Sequence, residues 1–452
     1  MKLTDIYNKL PIFIQNISVS AYGFIRERRR FGGEYKNHYR NVMESEFFSG
    51  EQMYELQKKS LRELFKAANE SKYYREIFEK LNVKIETDDP FEVLSKLPIL
   101  EKDILRGNEN DFYTKHAIKA LNFHTSGSTG TPLNIKMSLS DLRLRMALLE
   151  RQKARYGVSH RSKHLTFVGK KITSKGNKVF WRYNIFGKQL VMSVYDLSDE
   201  NKEKYLKKMQ SYAPEVIEGY PSALAVVATW ISDNNYKINP KCILVTAETL
   251  MPNQREIIER AFGCPVINYY GSTEGSTMIT QCEEGNLHID EECGIIEFLN
   301  NDGTIAKSGD VANMVVTSFT TKAMPLIRYN IGDLGVYSDK KCHCGRNSRV
   351  ITEIIGRTDD IFITPQKGHV GRLSTTLKLL PATVRRAQIH QNAPTEFLLL
   401  LETDKKLNEL DLNAVYTDLY DKLGDVNIIT ECTPNIPSGK NGKFRAQINH
   451  CK

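Results

Sequence analysis

The chain has 452 residues, of which 40% are hydrophobic and 26% are charged, the balance of a soluble globular protein. This length predicts two or three domains with a real core. The net charge of +9, from 63 basic and 54 acidic residues, suits anionic ligands such as nucleotides but does not argue for a nucleic-acid partner.

The eight cysteines are not arranged like the disulfide framework of a small secreted domain, so the sequence predicts a reducing, cytoplasmic setting. No apolar run approaches the roughly 18 residues of a membrane span, and the N-terminal stretch lacks an uninterrupted signal-peptide core.

An apolar stripe at helical spacing, followed by arginines, makes residues 1–50 a candidate amphipathic extension. The stripe consists of Leu10, Phe13, Ile14, Ile17, Ala21 and Phe24, and the arginines are Arg26, Arg28, Arg29 and Arg30. Two interpretations are open. We expect the stripe to pack against the protein's own N-terminal domain, and the alternative is peripheral contact with an anionic membrane surface.

From Glu51 to Glu70 an amphipathic helix is predicted, and beyond residue 139 strand-like and helical runs alternate. The predicted strands are Leu165 to Val168, Leu190 to Tyr195, Val216 to Gly219, Ile243 to Thr246 and Val266 to Tyr270. The predicted helices are 140–156, 200–211, 221–235 and 253–262. This alternation is typical of an α/β domain with a largely parallel sheet.

Between Glu292 and Val336 the strands shorten, and the turn sequence Asn301-Asp302-Gly303 predicts antiparallel hairpins. Two strands (384–390 and 397–401) and a helix (408–423) then predict a small α+β domain. We therefore predict an α/β fold with a large multi-sheet N-terminal domain (1–356) and a small mobile α+β C-terminal domain (357–452).

Residues 124–132, HTSGSTGTP, form a polar segment in which seven of nine residues are Ser, Thr or Gly. Such residues offer hydroxyls, accessible backbone N–H groups and freedom in φ, which suit a loop that folds around phosphate oxygens. An ordinary surface turn is the alternative, because Ser and Gly crowd into turns for conformational reasons.

A second polar segment, YYGSTEG at 269–275, follows a predicted strand, where ligands bind in open α/β sheets. Its tyrosines can stack on a base, its hydroxyls can meet phosphate, and Glu274 can hold a Mg²⁺ ion. The alternative is a plain loop in which Glu274 is a solvated charge.

Three more segments follow in the chain: RYNIGD at 328–333, GRTDD at 356–360 and the glycine-rich basic loop PSGKNGKFR at 437–445. The carboxylate of Asp333 can accept hydrogen bonds from both hydroxyls of a ribose. Each segment is a weak signal alone, whereas their order along the chain is specific.

In this order the five segments resemble those of the AMP-forming adenylate superfamily of acyl-CoA synthetases, adenylation domains and luciferases. The resemblance covers roughly residues 50–445 and extends to the phenylacetate-CoA ligase branch, with its members linked to capsule biosynthesis. Supporting that branch are LPILEKDILRGN at 97–108, EGYPSALA at 218–225, TAETL at 246–250 and CHCGR at 342–346. Leu133 is a departure, because many members have Lys there.

The resemblance implies that Lys443 bridges the substrate carboxylate and the α-phosphate, that Glu274 holds Mg²⁺, and that Thr129 acts at the phosphates. The implied nucleotide-binding residues are Ser126, Gly127, Ser128, Thr129, Gly130, Ala247, Glu248, Tyr269, Tyr270, Gly271, Ser272, Thr273, Asp333 and Arg357. Asp359 is implied as the hinge of a rotating C-terminal domain. Lys440 has similar surroundings, but only Lys443 has the expected distance from Pro437.

Cys282, His288, Cys342 and Cys344 form a separate set of candidate ligands. A Cys-x-Cys-Gly knuckle can give two thiolates to a metal, and the other two side chains could complete a tetrahedral Zn²⁺ site. The alternative is three thiols and an imidazole without a metal. Because related ligases carry a similar cluster, the resemblance favours a structural zinc.

These features predict an ATP-dependent, AMP-forming carboxylate ligase that uses ATP/AMP, Mg²⁺, coenzyme A and structural Zn²⁺. It would activate a small carboxylic acid as acyl-AMP and pass the acyl group to a thiol, expected to be coenzyme A, in surface-polysaccharide biosynthesis. The predicted acid pocket consists of Phe167, Gly169, Tyr220, Pro221 and Ser222, which favour an aryl acid while leaving an amino acid open.

Several alternatives remain at this point. The acyl group could pass to a sugar amine or a carrier protein, or the adenylyl group could pass to a coenzyme. A nucleotide-binding protein without catalysis is the alternative of a different class. Both a monomer and a homodimer are open.

Overall fold

The computed structural model describes residues 6, 7, 9–124, 133–169, 172, 179–357, 362–370, 373–377, 379–381, 383–403, 407, 409–437 and 442–451. The chain forms two compact units, each discontinuous in sequence. The first unit comprises Met1–Gly23, His160–Asn268 and Ile355–Lys452, and the second comprises Phe24–Ser159 and Tyr269–Ile354.

The helices lie mainly before and between the strands. They are α1 (Ile12–Phe31), α2 (Tyr35–Ser45), α3 (Gly50–Ala68), α4 (Lys72–Lys80), α5 (Pro90–Lys96), α6 (Lys102–Leu105), α7 (Leu139–Ala154), α8 (Lys202–Tyr212), α9 (Pro221–Asn234), α10 (Pro252–Phe262), α11 (Ser374–Leu377) and α12 (Glu409–Leu423), with short 3₁₀ turns at Glu109–Phe112 and Lys115–Ala117.

The strands are β1 (Leu121–His124), β2 (Asn134–Met137), β3 (His164–Val168), β4 (Trp181–Asn184), β5 (Gln189–Ser193), β6 (Val216–Gly219), β7 (Cys242–Val245), β8 (Val266–Gly271), β9 (Met278–Gln281), β10 (Leu287–Ile289), β11 (Gly294–Leu299), β12 (Ala312–Ser318), β13 (Tyr329–Ser338), β14 (Val350–Arg357), β15 (Phe362–Thr364), β16 (Gly368–Val370), β17 (Arg386–Ala393), β18 (Glu396–Glu402), β19 (Asn427–Thr433) and β20 (Gln447–Asn449).

In the first unit, β4, β5, β3, β6, β7 and the start of β8 lie side by side in that order. The pairs from β5 to β8 are parallel, and only β4, at the edge, is antiparallel. Since β7 is buried along its whole length, its continuous run Cys-Ile-Leu-Val is typical of a central parallel strand. The alternation of strands and helices predicted from sequence is confirmed.

In the second unit, the end of β8 pairs antiparallel with β9, followed in order by β10, β14, β13, β12 and β11. The predicted hairpins are present: β11 and β12 pair antiparallel across the turn at Asn301 to Gly303, where Gly303 has a φ of +83°. The predicted helix at 51–70 is α3, which buries Leu61, Leu64 and Phe65 in the main core of this unit.

The C-terminal segment of the first unit contains a four-stranded sheet in the order β19, β18, β17, β20. The central pair is antiparallel, whereas β19 and β20 join its two sides in parallel. Apolar residues of α12, including Val415 and Leu419, pack with Phe397 and Leu399 in a separate core. The predicted α/β class with a smaller α+β C-terminal domain is confirmed.

The first helix differs from the expectation that its apolar stripe packs inward. Phe13, Ile17 and Phe24 are exposed, and the buried positions of α1 are Gln15, Ser20 and Gly23. Gly23 leaves room for the buried side chain of Asn184, which a Cβ atom at this position would press against. Among the described residues, no helix combines the length and the apolar character that crossing a membrane requires.

Candidate functional site

The loop that carries Lys443 contacts the first unit through two neighbouring residues. The backbone N–H of Phe444 donates to Oε1 of Glu248 over 2.5 Å. Gly442, with a φ of +68°, lies so close to Val194 and Gly169 that a Cβ atom would be 2.6 Å from Val194 Cγ2. The sequence thus needs glycine here, because both the left-handed conformation and the close approach exclude a side chain.

Glu248 joins this loop to the start of helix α9. Its second carboxylate oxygen accepts the backbone N–H of Ser222 over 3.2 Å, in the first turn of the helix, where unpaired N–H groups favour an anion. Burial raises the pKa of Glu248 above its ordinary value, against the lowering effect of these bonds and of the Lys443 charge. The residue before it, Ala247, has a φ of +71°, a strained conformation for a residue with a side chain.

The residues of the predicted acid pocket fall into two groups. Tyr220 and Ser222 lie near Glu248: Ser222 donates its backbone N–H to it, and burial followed by the Glu248 charge raises the pKa of Tyr220. Gly169 lies beside Gly442 of the Lys443 loop, and its carbonyl accepts from the hydroxyl of Tyr195 over 2.8 Å. Pro221 is buried at the first position of α9. Phe167 is instead a core residue, stacked on Tyr205 with ring centroids 6.4 Å apart.

Glu274 belongs to the second unit and is buried, with 5% of its surface exposed. Its Oε1 lies 3.3 Å from the ammonium of Lys102 and 3.5 Å from the hydroxyl of Tyr329. The polar segment around it, from Gly271 to Thr273, leads from the last residues of β8, where Tyr269 and Tyr270 are half-buried. Glu274 is therefore held as a compensated buried carboxylate, not as a solvated charge.

Asp333 lies on β13 and is also buried. The hydroxyl of Tyr270 donates to its Oδ2 over 2.5 Å, so two predicted nucleotide-binding residues from different segments are in contact. Arg328, at the start of the same motif, has a φ of +48° and forms an ion pair of 2.9 Å with Glu297. Arg357 is the last residue of β14 and is half-buried.

Several predicted residues lie outside the described residues. They are Ser126, Gly127, Ser128, Thr129 and Gly130 of the phosphate segment and the hinge residue Asp359. The flanking strands β1 and β2 are described and pair antiparallel, from Leu121 opposite Met137 to His124 opposite Asn134.

Sequence reasoning missed Lys102 and Arg145 as neighbours of the Glu274 segment. Arg145 donates to the Ser272 carbonyl over 3.2 Å, and its buried Nη1 has no hydrogen-bond partner among the described residues. Lys102 lies in the LPILEKDILRGN stretch, but nothing in that stretch indicates which carboxylate it pairs with. Arg145 lies within helix α7, where nothing in the local sequence marks it as a functional residue.

The four candidate zinc ligands lie together in the second unit, with their ligand atoms all within 4.8 Å of one another. Cys282 Sγ is 3.7 Å from Cys342 Sγ, and Cys344 Sγ is 3.4 Å from His288 Nε2. A tetrahedral zinc ion requires about 3.8 Å between two sulfurs and about 3.6 Å between sulfur and nitrogen.

The second nitrogen of His288 is oriented by its own contacts. His288 Nδ1 lies 3.1 Å from the Ser348 carbonyl, which places the hydrogen of the neutral ring on Nδ1. The lone pair of Nε2 is then available to bind a metal ion. Ligand spacing, ligand type and this outer contact therefore fit a closed zinc site.

Comparison with known proteins shows the family and the fold of the chain. Residues 362–450 match the family model of the CapK C-terminal domain. Protein CapK of Staphylococcus aureus is 32% identical over the full length of both chains, and the phenylacetate-coenzyme A ligase of Thermus thermophilus is 26% identical over 64% of this chain and 67% of its own. The crystal structure of 2-hydroxyisobutyryl-CoA ligase in the postadenylation state superposes with a TM-score of 0.69 at 16% identity, covering 89% of this chain and 90% of the other.

The fold and these relatives define the class of protein, an AMP-forming ligase of the adenylate superfamily related to phenylacetate-CoA ligases, which confirms the resemblance seen in the sequence. Within that class, the chain belongs to the CapK family, since the Staphylococcus aureus protein is similar from end to end.

Proposed function

We propose that the protein activates a small carboxylic acid with ATP as an acyl-adenylate and transfers the acyl group to the thiol of coenzyme A. The observation that carries this proposal is the bond from the Phe444 backbone to Glu248, which holds the Lys443 loop against Gly169, beside the predicted acid pocket. The sequence resemblance to members linked to capsule biosynthesis extends the proposal to a pathway in which the acyl group serves a surface polysaccharide.

The chemistry explains the residue types. In the first step a carboxylate oxygen attacks the α-phosphorus of ATP, the bond to the bridging oxygen breaks, and pyrophosphate leaves. Two anions must approach each other, so a cation is needed that stabilises the growing charge. In the proposal Lys443 supplies it, and Asp333, oriented by Tyr270, binds the ribose hydroxyls.

The proposed place of Mg²⁺ is the carboxylate of Glu274. Carboxylate oxygens are the protein ligands of Mg²⁺ ions that also bind substrate phosphates, and Glu274 offers such a carboxylate in a buried position. When bound, Mg²⁺ would neutralise phosphate charge. The ion pair with Lys102 orients the carboxylate, since it fixes one of its two oxygens.

The test is carboxylate-dependent exchange between ATP and labelled pyrophosphate, with aryl, aliphatic and amino acids and no acceptor present. Exchange with aryl acids alone, followed by thioester formation when coenzyme A is added, is the expected result. Exchange without thioester formation would shift the acceptor to an amine or a carrier protein. No exchange with any acid, from folded protein that binds ATP, would contradict the proposal.

We also propose that the Cys282 cluster holds a structural zinc ion. Four protein ligands leave no open position, so the ion would stabilise the loops that follow β9 and precede β14 rather than take part in the reaction. Metal analysis of freshly purified protein should give one zinc per chain, and Cys344→Ser should lose it. Cys432→Ser is the matched control, because that cysteine is exposed on β19. Zinc-free wild-type protein would refute the site.

A further inference from the structure

The N-terminal helix α1 faces outward with its apolar side. Phe13 and Ile17 are 65% and 60% exposed, and Phe24 and Ile25 are exposed about two turns beyond Ile17. At 3.6 residues per turn, Phe13, Ile17, Ala21 and Phe24 form one stripe along the helix. A stripe of this size costs free energy in water, and such faces mark interaction surfaces.

The polar side of α1 is the side that packs, and it does so through specific hydrogen bonds to β4 and the turn after it. Gln15 Oε1 accepts from the buried Arg182 over 2.6 Å, and Asn16 Oδ1 accepts the backbone N–H of Tyr183 over 3.0 Å. Ser20 Oγ accepts the N–H of Ile185 over 3.1 Å. These bonds fix the rotation of the helix, so the outward direction of the apolar stripe is determined by its contacts.

The turn after β4 adds to the same surface. Ile185 and Phe186 are 59% and 61% exposed, and Ser20, which binds this turn, lies between Ile17 and Phe24 on the helix surface. The hydrogen bond from Ile185 to Ser20 therefore places this turn beside the helix. We call this surface, formed by Phe13, Ile17, Ile185 and Phe186, the α1 patch.

Arginines border the α1 patch at the end of the helix. Residues 12–31 contain four arginines and one glutamate, a net charge of +3, and Arg28 and Arg29 are exposed. Arg28 lies one turn after Phe24, with its guanidinium 5.7 Å from that ring, so it continues the apolar stripe. A second copy paired through the same helix would cover the apolar side chains but would offer one glutamate against four arginines.

We propose that the α1 patch binds the surface of an anionic lipid bilayer, with α1 lying in the plane of the headgroups. The apolar stripe would enter the boundary between headgroups and acyl chains, and the arginines would contact lipid phosphates, the two contributions that interfacial helices combine. Among the described residues no helix can span the bilayer, so the contact would be peripheral.

The test is co-sedimentation of the full chain with vesicles of phosphatidylcholine alone and with vesicles containing about one-third phosphatidylglycerol. We expect binding to the anionic vesicles only, weakened by high salt. Phe13→Ser with Ile17→Ser should lower the partition coefficient at least about tenfold. Arg28→Gln and Arg29→Gln should each lower it about fivefold.

The matched control is Ile118→Ser with Ile305→Ser, two side chains that are 83% and 80% exposed and lie outside α1. This control should bind vesicles as the wild type does. Unfolding midpoints check that each variant is folded, and the arginine variants keep the test decisive if the apolar variant unfolds. No binding by the wild type, or equal binding by all variants, would overturn the proposal. A dimer that the α1 changes dissociate, without vesicle binding, would assign the patch to a second copy.

Discussion

Glu274 and Lys443 carry the two charges that the proposed adenylation needs, and the chain holds them by different means. Glu274 is buried between strands, with side-chain contacts to Lys102 and Tyr329. The Lys443 loop is held through the backbone of the two residues that follow: the Phe444 N–H donates to Glu248, and the Arg445 carbonyl accepts from the side chain of Gln388. A carboxylate fixed by contacts of its own side chain suits a constant role, whereas a loop fixed through backbone groups beside the lysine suits a charge needed in only one of two half-reactions.

The largest effect is expected from removing the charge of Lys443, which tests the role assigned to its loop. Lys443→Ala should lower the acid-dependent exchange rate at least about 10³-fold, because the cation acts on charge that develops in the transition state. Lys440→Ala is the control and should retain activity. Equal exchange rates in the two variants would reject Lys443 as the catalytic lysine, whichever way the rates changed.

Loss of the buried charge should have the second largest effect. Glu274→Gln should lower exchange about 10²-fold and raise the Mg²⁺ concentration needed for half-maximal rate, because an amide binds a divalent cation poorly. Lys102→Met removes the ion pair and keeps the carboxylate. If Glu274 served only as a partner for Lys102, the two variants would lose stability alike and would show the same Mg²⁺ dependence.

The strands and helices around these groups could be predicted from sequence because a parallel sheet has a strong pattern. Each buried strand is a short apolar run, and each helix between them has period 3.6, so β6, β7 and α9 were predicted within two residues. The edge strand β4 was missed, because its sequence WRYN has no apolar run.

The candidate site was predictable where a segment carries its own chemistry. The five polar segments and the cysteine knuckle stand out in the sequence, and the cysteine and histidine ligands do lie together. Pairings between distant residues were not predictable. The contact of Lys102 with Glu274 and the bond of Glu248 to the Phe444 backbone depend on the tertiary fold.

The orientation of α1 shows why amphipathicity alone misleads. The stripe Phe13, Ile17 and Phe24 predicted the buried side of the helix, but the polar side makes the contacts. A sequence pattern shows that a helix has two faces, whereas hydrogen bonds such as that from Arg182 to Gln15 decide which face packs.

Weakening a bond that holds the Lys443 loop, while keeping the Lys443 charge, should lower the exchange rate less than Lys443→Ala does. It should also change how the rate depends on pH. Glu248→Gln should lower the exchange rate about tenfold, since a neutral amide oxygen accepts the Phe444 N–H less strongly than a carboxylate does. The KM for ATP should change little if Glu248 positions the loop without binding the nucleotide.

The sign of the pH effect follows from the raised pKa of Glu248. As the pH falls through that pKa, the carboxylate gains a proton and becomes a weaker acceptor, so the wild-type exchange rate should fall on the acid side. The same raised pKa means that folding stability from this group decreases as the pH rises from the unfolded value through the folded one. In Glu248→Gln, the fall in exchange rate at low pH that comes from protonation of Glu248 should be absent. A pH profile equal to that of the wild type would argue against the positioning role of Glu248.

The smallest effect is expected from weakening the contact between Tyr270 and Asp333, which both lie on strands. Tyr270→Phe removes the hydroxyl that donates to Asp333 but keeps the ring. Both residues remain in the strands β8 and β13, so the carboxylate should lose orientation without moving far. We expect the KM for ATP to rise about fivefold at nearly constant kcat, the value of one hydrogen bond to a charged group that water partly replaces. Asp333→Asn should have a larger effect, since it removes the acceptor itself. A fall in kcat alone for Tyr270→Phe would mean that the contact of Tyr270 with Asp333 also changes during the reaction. The proposed contrast between such fixed carboxylates and the Lys443 loop would then be wrong.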